Sequence, residues 1–339
     1  MSTATAPGTP NPGLIFDTIN AYQKSAALAS AIELDLFTAV AAGHRTAEDI
    51  ANATGASLRG VRVLCDYLAI NGFLIKSDRQ YALAPETGMF LDRNSPAYFG
   101  GAVQFMLDPR LTEPYRNLTE VVRSGRTTMP DEGTVSPEHP LWVVFARQMA
   151  PMIHPTAHEL ADKLDGRGPM RVLDLAAGHG LFGIAIAARN PEATVTALDW
   201  GGVLEVANEN AARFGVSDRH SRIAGDAFTT DFGGPYDLVL VTNFFHHFDQ
   251  AACEQLMRKV LSCLAPGGRC ITLDFVPNED RISPAIAASF ALMMLGTTVA
   301  GDAYTFGEYE NMFKNAGFSR SEFVALQRAP QSLVISYRD

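Results

Sequence analysis

Between Phe16 and Val40 apolar residues return at helical intervals, at Ile19, Tyr22, Ala26, Leu28, Ala29 and Ile32, and the stretch closes on ELDLFTAV with Gly43 as a stop. The pattern predicts one long helix and one short one. Thr46 then precedes Asp49 in TAEDIANATG at the spacing of a capping box, and SLRGVRVLCDYLAINGFL predicts an amphipathic helix ended by Asn71-Gly72. From Ile75 to Leu83, IKSDRQYAL predicts two short strands around Asp78. Helices followed by a small β-wing form the winged helix-turn-helix arrangement.

Leu107 to Pro140 is rich in Pro, Gly and charge, which predicts a connection carrying short helices; a longer helix follows from about Leu141 to Leu164. After Gly166-Arg167-Gly168-Pro169 the period changes. RVLDLA, TVTALD, SRIAGDA, YDLVLVTN and RCITLDFV predict strands, with helices running through Ala188, through Phe214 and from about Gln250 to Leu264. A helix over Glu308 to Ala316 and the strands EFVALQ and SLVISYR close the chain. Such alternation implies an α/β fold, a mostly parallel sheet with helices on both faces. The expected division is a flexible tail over 1–13, a mainly helical winged-helix domain over 14–105, a helical linker over 106–165 and an α/β domain over 166–339.

Composition narrows the function. The 339 residues suffice for two domains, and 47% hydrophobic with 19% charged residues is the balance of a folded soluble protein. A formal net charge of −10 opposes a phosphate-gripping surface, and the presumed recognition helix holds only Arg59 and Arg62 as basic residues. A transcriptional regulator that senses a nucleotide is therefore the weaker reading, and no nucleic-acid partner is expected. Cys65, Cys253, Cys263 and Cys270 form no C-x-x-C pair and read as buried free thiols of a reducing cytoplasm. MSTATAPGTPNPG has no signal-peptide pattern, and the apolar run from Ala285 to Leu295 is about half of the ~20 residues a membrane span needs. No membrane association is expected.

GHGLFG, from Gly178 to Gly183, is a literal G-x-G-x-x-G, which first suggests a nicotinamide dinucleotide. Asp174, just upstream, would repel a pyrophosphate but would accept hydrogen bonds from a cationic ligand. Asp199, ending TVTALD, is placed for a ribose diol. Asp226, beside Phe228 in AGDAF, suits an adenine amino group and its ring face. Acids at strand ends also cap helices, but three at successive strand ends beside these glycines suit S-adenosylmethionine, which carries an ammonium and a sulfonium.

DLAAGHG, ALDW, AGDAF, YDLVLVTNFFHHFD and LAPGGRCITLDFV, in this order, resemble the class I S-adenosylmethionine-dependent methyltransferases. With the winged-helix segment upstream, the chain resembles from about residue 14 the dimerising small-molecule O-methyltransferases of plant phenolic and bacterial polyketide metabolism. The resemblance implies a Rossmann-like domain whose C-terminal strand is antiparallel, and a homodimer formed through the N-terminal domain. It implies cofactor contacts at Asp174, Ala176, Gly178, Gly180, Asp199, Trp200, Gly225, Asp226, Ala227, Phe228 and Asn243, with S-adenosylhomocysteine as product. The acceptor it implies is a small hydroxylated aromatic or polyketide-like metabolite; oxygen, carbon and nitrogen all remain possible methylated atoms.

NFFHHFDQ puts His246 and His247 just past a strand, where open α/β sheets bind ligands, and an imidazole with a pKa of about 6.5 can take a phenol's proton. The resemblance makes His246 the general base, with His247 as rival. A metal site from His246, His247 and Asp249 is the competing idea, but adjacent histidines rarely face one ion, and no metal is expected. The family commonly brackets the base with two acids. Asp274 in ITLDFV fits the first place; near the second stands Asp302, with Ala303 at the aligned position. Met149, Met152, Phe245, Phe290, Met293 and Met294 suggest a pliable apolar pocket. The resemblance points to Met294 and Thr298 in it, and adds Phe145 and His247 as acceptor contacts.

Overall fold

The computed structural model describes residues 11–164 and 168–339. Most of the expected tail lies outside the described residues, as does part of the turn before the α/β segment, and helix already begins at Gly13. The chain separates into two compact units, one ending at Leu107 and the other beginning at Asp108.

The first unit contains α1 (Gly13–Glu33), α2 (Leu36–Ala41), α3 (Ala47–Thr54), α4 (Leu58–Ile70), β1 (Leu74–Ser77), β2 (Gln80–Leu83), α5 (Pro85–Phe90) and α6 (Gly100–Met106). Thr46 and Asp49 form the reciprocal capping box that starts α3, and Ser57 caps α4 by accepting the Gly60 N–H. Asp78 takes a left-handed conformation between β1 and β2, which pair antiparallel. Phe37, Ile50, Val61, Cys65, Leu68 and Tyr81 share one core. The N-terminal half of α1 finds no such cover: Leu14, Ile15, Phe16, Ile19 and Tyr22 are all exposed.

The second unit begins with α7 (Pro109–Arg116), α8 (Leu118–Ser124) and α9 (Leu141–Asp162). There follow β3 (Met170–Leu175), α10 (Leu181–Arg189), β4 (Ala193–Asp199), α11 (Gly201–Arg213), β5 (His220–Ala224), β6 (Tyr236–Thr242), α12 (Gln250–Cys263) and β7 (Leu264–Asp274). The chain ends with α13 (Ala285–Thr297), α14 (Phe306–Ala316), β8 (Arg320–Ala325) and β9 (Ser332–Tyr337). The seven-stranded sheet runs β5-β4-β3-β6-β7-β9-β8. Pairing is parallel from β5 to β7, while β9 lies antiparallel to both of its neighbours. The strand order reverses between β3 and β6, and ligands of open α/β sheets bind at that switch, outside the carboxyl ends of the strands.

One face of the sheet packs on α12 and α14 through Leu173, Val239, Val241, Leu256, Val260, Met312 and Phe313. Lost exposure of such side chains contributes roughly 1.5–3 kcal/mol each. Four elements depart from the pattern along the chain: α5 and α6 fill the stretch after Leu83 where no element is expected, and α13 and β7 differ as follows. The run at Ala285 forms α13, a helix apolar on every side with Ile286 and Leu292 exposed. β7 begins at Leu264, not at Arg269, because the pairing with β6 skips across the Pro266-Gly267-Gly268 irregularity.

Candidate active site

β3 ends at Leu175, and the chain leaves it through Ala176, Gly178 and Gly180, all with positive φ. Alternating left-handed residues turn the backbone sharply into α10. The Asp199 carboxylate closes this turn: Oδ2 accepts the Gly178 N–H at 2.8 Å and Oδ1 the Trp200 N–H at 2.7 Å. Burial pushes Asp199 up to about 6, against the lowering effect of those two bonds.

Asp174 lies deeper than the strand end. It lies in the last turn of pleat before the strand end and is wholly buried, with Oδ2 accepting the Gly183 N–H at 3.0 Å. This close approach requires glycine, since a Cβ at 183 would stand 2.9 Å from that oxygen and 2.6 Å from Val195 Cγ1. Oδ1 has no hydrogen-bond partner. Burial, with a smaller contribution from Asp199, pushes Asp174 up to about 7. Asp174 therefore sits beneath the glycine turn, and Asp199 is the acid that closes it.

The third strand end is bound to this pair. Gly225 N–H donates to the Asp199 carbonyl, and Asp226 Oδ1 accepts the Phe228 N–H at 2.6 Å. Lys259 Nζ holds the loop from behind through the carbonyls of Ala227, which is buried, and Thr230. Phe228 meets Phe248 edge to face at 4.9 Å, and Phe248 meets Phe244 likewise. Asn243, also left-handed, donates its N–H to Leu273. Trp200, Trp142 and Val143 all pack against the cluster of Ala146, Val203 and Val206. His179 inside the glycine turn is buried and pushed down to about 4, so its neutral ring accepts the Leu181 N–H and stacks on Phe145.

Across the switch point, Phe245–His247 forms a single 3-10 turn after β6. His246 is buried, and its Nδ1 stands 2.6 Å from Oδ1 of Asp274, the last residue of β7. Asp274 also accepts the Phe275 N–H and, on Oδ2, the Tyr309 hydroxyl at 2.8 Å. An ionised carboxylate only accepts, so against Asp274 the Nδ1–H donates, and in that tautomer of the neutral ring Nε2 carries the free lone pair. Phe290 lies edge-on to His246 at 4.8 Å and stacks face to face on Phe275 at 3.9 Å. His247 is buried against Trp142 and Phe244, its Nδ1 has no partner, and burial with neighbouring His246 holds it well below the usual histidine range. Among the described residues no group of three or more His, Cys, Asp or Glu is arranged to hold a metal.

The expected second acid does not reach His246. Ala303 is fully buried, and the Asp302 carboxylate turns instead to the Ala303 N–H and Arg281. Only the Asp302 backbone reaches the histidine, donating N–H to the His246 carbonyl. Gly301 allows that approach, because a Cβ there would come within 2.2 Å of the same carbonyl oxygen.

The expected acceptor residues divide. Phe290, Phe145 and His247 border the two halves just described, and Met149 and Met294 are buried on α9 and α13. Phe245 does not join them: it is fully buried among Tyr309 and Phe313 on the core side of the turn. Thr298 is buried, with its hydroxyl donating to the Met294 carbonyl and accepting the Gly301 N–H. Met152 and Met293 are each 37% exposed. Trp142 and Tyr309 had not been singled out in the sequence. Trp142 is held by donation from Nε1 to the Thr134 carbonyl, and the strap carrying Thr134 is tied to the end of α13 by the Thr127 and Thr134 hydroxyls.

Comparison with known proteins places the fold in a family. Residues 131–319 match the O-methyltransferase domain, and residues 16–93 match the O-methyltransferase dimerisation domain. The 3-hydroxy-5-methyl-1-naphthoate 3-O-methyltransferase of Streptomyces sahachiroi is 30% identical over 333 residues, 94% of each chain. The tetracenomycin polyketide synthesis 8-O-methyl transferase of Streptomyces glaucescens is 29% identical over 96% of each. A solved structure from Nostoc punctiforme, provisionally classed as an O-methyltransferase, superposes with a TM-score of 0.95 at 50% identity, covering 97% of this chain and 100% of that one. The fold is thus a Rossmann-like methyltransferase domain with a helical N-terminal unit. The chain belongs to the O-methyltransferase family and is an enzyme of that class.

Proposed function

We propose that this enzyme transfers a methyl group from S-adenosylmethionine to the hydroxyl of a small aromatic or polyketide-like acceptor, with His246 as general base. As a member of its family the enzyme uses S-adenosylmethionine, which supplies an electrophilic methyl on a sulfonium and leaves as S-adenosylhomocysteine. The chain's own residues fit that donor: a left-handed glycine turn, the Asp199 carboxylate beside it and the unpartnered Asp174 Oδ1 below favour a cation. In this reading Gly178, Gly180, Asp199, Gly225, Asp226, Phe228 and Asn243 border the donor, and Asp174 holds the turn.

The observation that carries the base assignment is the buried His246–Asp274 pair. Asp274 fixes the Nδ1–H tautomer, which turns Nε2 outward as the proton acceptor, and it stabilises the imidazolium once the acceptor's hydroxyl proton has moved to Nε2. His247 lacks any such partner on Nδ1, which supports an acceptor contact through its ring instead. Phe290 lies edge-on to His246, Trp142 edge-on to His247, and Phe145 edge-on to Trp142, an aromatic surround suited to an aromatic ring. The naphthoate and tetracenomycin relatives, named for aromatic and polyketide acceptors, support the same class.

The exposed apolar ridge of α1, within the region that matches the dimerisation domain, supports a homodimer. The acceptor is tested by incubating the enzyme with metabolite extracts and S-adenosylmethionine carrying a deuterated methyl, then finding labelled products by mass spectrometry. Label on an aromatic or polyketide hydroxyl is expected. Label on carbon or nitrogen would overturn the assignment of the reaction.

A further inference from the structure

The residue opposite His246 on Asp274 has no place in the expected pair of acids. Tyr309 lies in the first turn of α14, whose start is fixed by a capping box between Thr305 and Glu308 and by the Tyr309 N–H to Thr305 carbonyl bond. Its side chain is fully buried, between Phe245 at 6.3 Å and Tyr304 at 5.8 Å, so the phenol has one direction available. That direction ends 2.8 Å from Asp274 Oδ2. On the other oxygen are the His246 Nδ1 at 2.6 Å and the Phe275 N–H at 2.8 Å. Burial and the adjacent carboxylate keep the phenol protonated far beyond neutral pH, so toward Asp274 it donates.

We propose that Tyr309 is a positioning residue for the methyl-transfer base: it holds Asp274 from behind and takes over the orienting work of the second acid that Ala303 cannot supply. The proposal rests on His246 being the base. A base flanked by two acids is held from two sides; here the support runs in series, from Tyr309 to Asp274 to His246. The phenol has two effects on that series. It fixes the rotation of the carboxylate, so Oδ1 stays aimed at Nδ1. It also withdraws charge from the carboxylate, so the Asp274 field that stabilises the imidazolium is tempered. Arg281 reinforces the arrangement from outside by pairing with Asp302 and Glu308, which keeps the Asp302 carboxylate away from the base.

The test compares wild type, Tyr309→Phe and His246→Ala, each as the full chain with methyl-deuterated S-adenosylmethionine and the acceptor that takes up its label, and each checked by thermal melting for an intact fold. Tyr309→Phe keeps the ring and removes one oxygen. It is expected to lower kcat roughly ten-fold, well short of the ~10²- to 10⁴-fold expected for losing a base, with the KM for S-adenosylmethionine unchanged. The acidic limb of its kcat–pH profile is expected to move to higher pH, because an Asp274 relieved of the phenol stabilises the imidazolium more strongly. The His246 Nδ1 proton resonance, read by NMR without turnover, is expected to move as well. A packing role alone would shift neither the limb nor the resonance, and an unchanged limb and resonance in a folded variant overturn the proposal. Normal turnover in His246→Ala would overturn the base assignment, and with it a positioning role in proton transfer, even if the resonance moved.

Discussion

His246 Nδ1 and Asp274 Oδ1 lie 2.6 Å apart at the ends of two neighbouring parallel strands, both residues buried. The pairing of β6 with β7 brings them together, since the chain leaves β6 at Thr242 and β7 ends at Asp274 on the same edge of the sheet. Position and tautomer of the imidazole therefore follow from the sheet itself, and the loops supply the aromatic walls around it.

On the donor side, the carboxyls of Asp174 and Asp199 are raised from 3.8 to about 7 and about 6. The folded protein thus retains protons that the unfolded chain has released, so this pair lowers the stability of the unliganded enzyme as pH rises from about 4 to about 7. A cation bound beside them favours their ionised forms. Affinity for cationic S-adenosylmethionine is expected to rise across that window, with proton release seen by calorimetry in buffers of different ionisation enthalpy, and affinity for the net-neutral S-adenosylhomocysteine to rise less. Asp199→Ala should weaken the donor by roughly 1–3 kcal/mol where it leaves a buried partner unpaired. Equal, pH-independent affinity for both ligands would contradict the arrangement.

In the N-terminal unit, Phe16→Glu with Ile19→Glu places two charges on the exposed ridge of α1 without touching the buried core. The expected outcome is a halved mass by light scattering, with the fold retained by circular dichroism. An unchanged dimer would move the interface elsewhere.

The alternation of strands and helices, the capping box at Thr46 and the hairpin at Asp78 were legible because each follows from local rules that tertiary packing did not override. α13 was not, since a run apolar on every side has no period to read. Asp174 and Phe245 lie deeper than the sequence pattern places them, for geometric reasons. One residue along a strand exchanges the open edge for the buried interior, and in a 3-10 turn successive side chains diverge by about 120°, which sends Phe245 into the core while His246 faces Asp274. Tyr309 and Trp142 carry no local signal, because their partners Asp274 and Thr134 are fixed only by the fold.

The central claim is most directly tested by single-turnover methyl transfer in His246→Ala, with the methyl-deuterated donor and the acceptor that takes up its label both saturating. A fall of ~10²- to 10⁴-fold is predicted, with donor affinity unchanged and His247→Ala far less affected. Near-normal turnover in His246→Ala would contradict it.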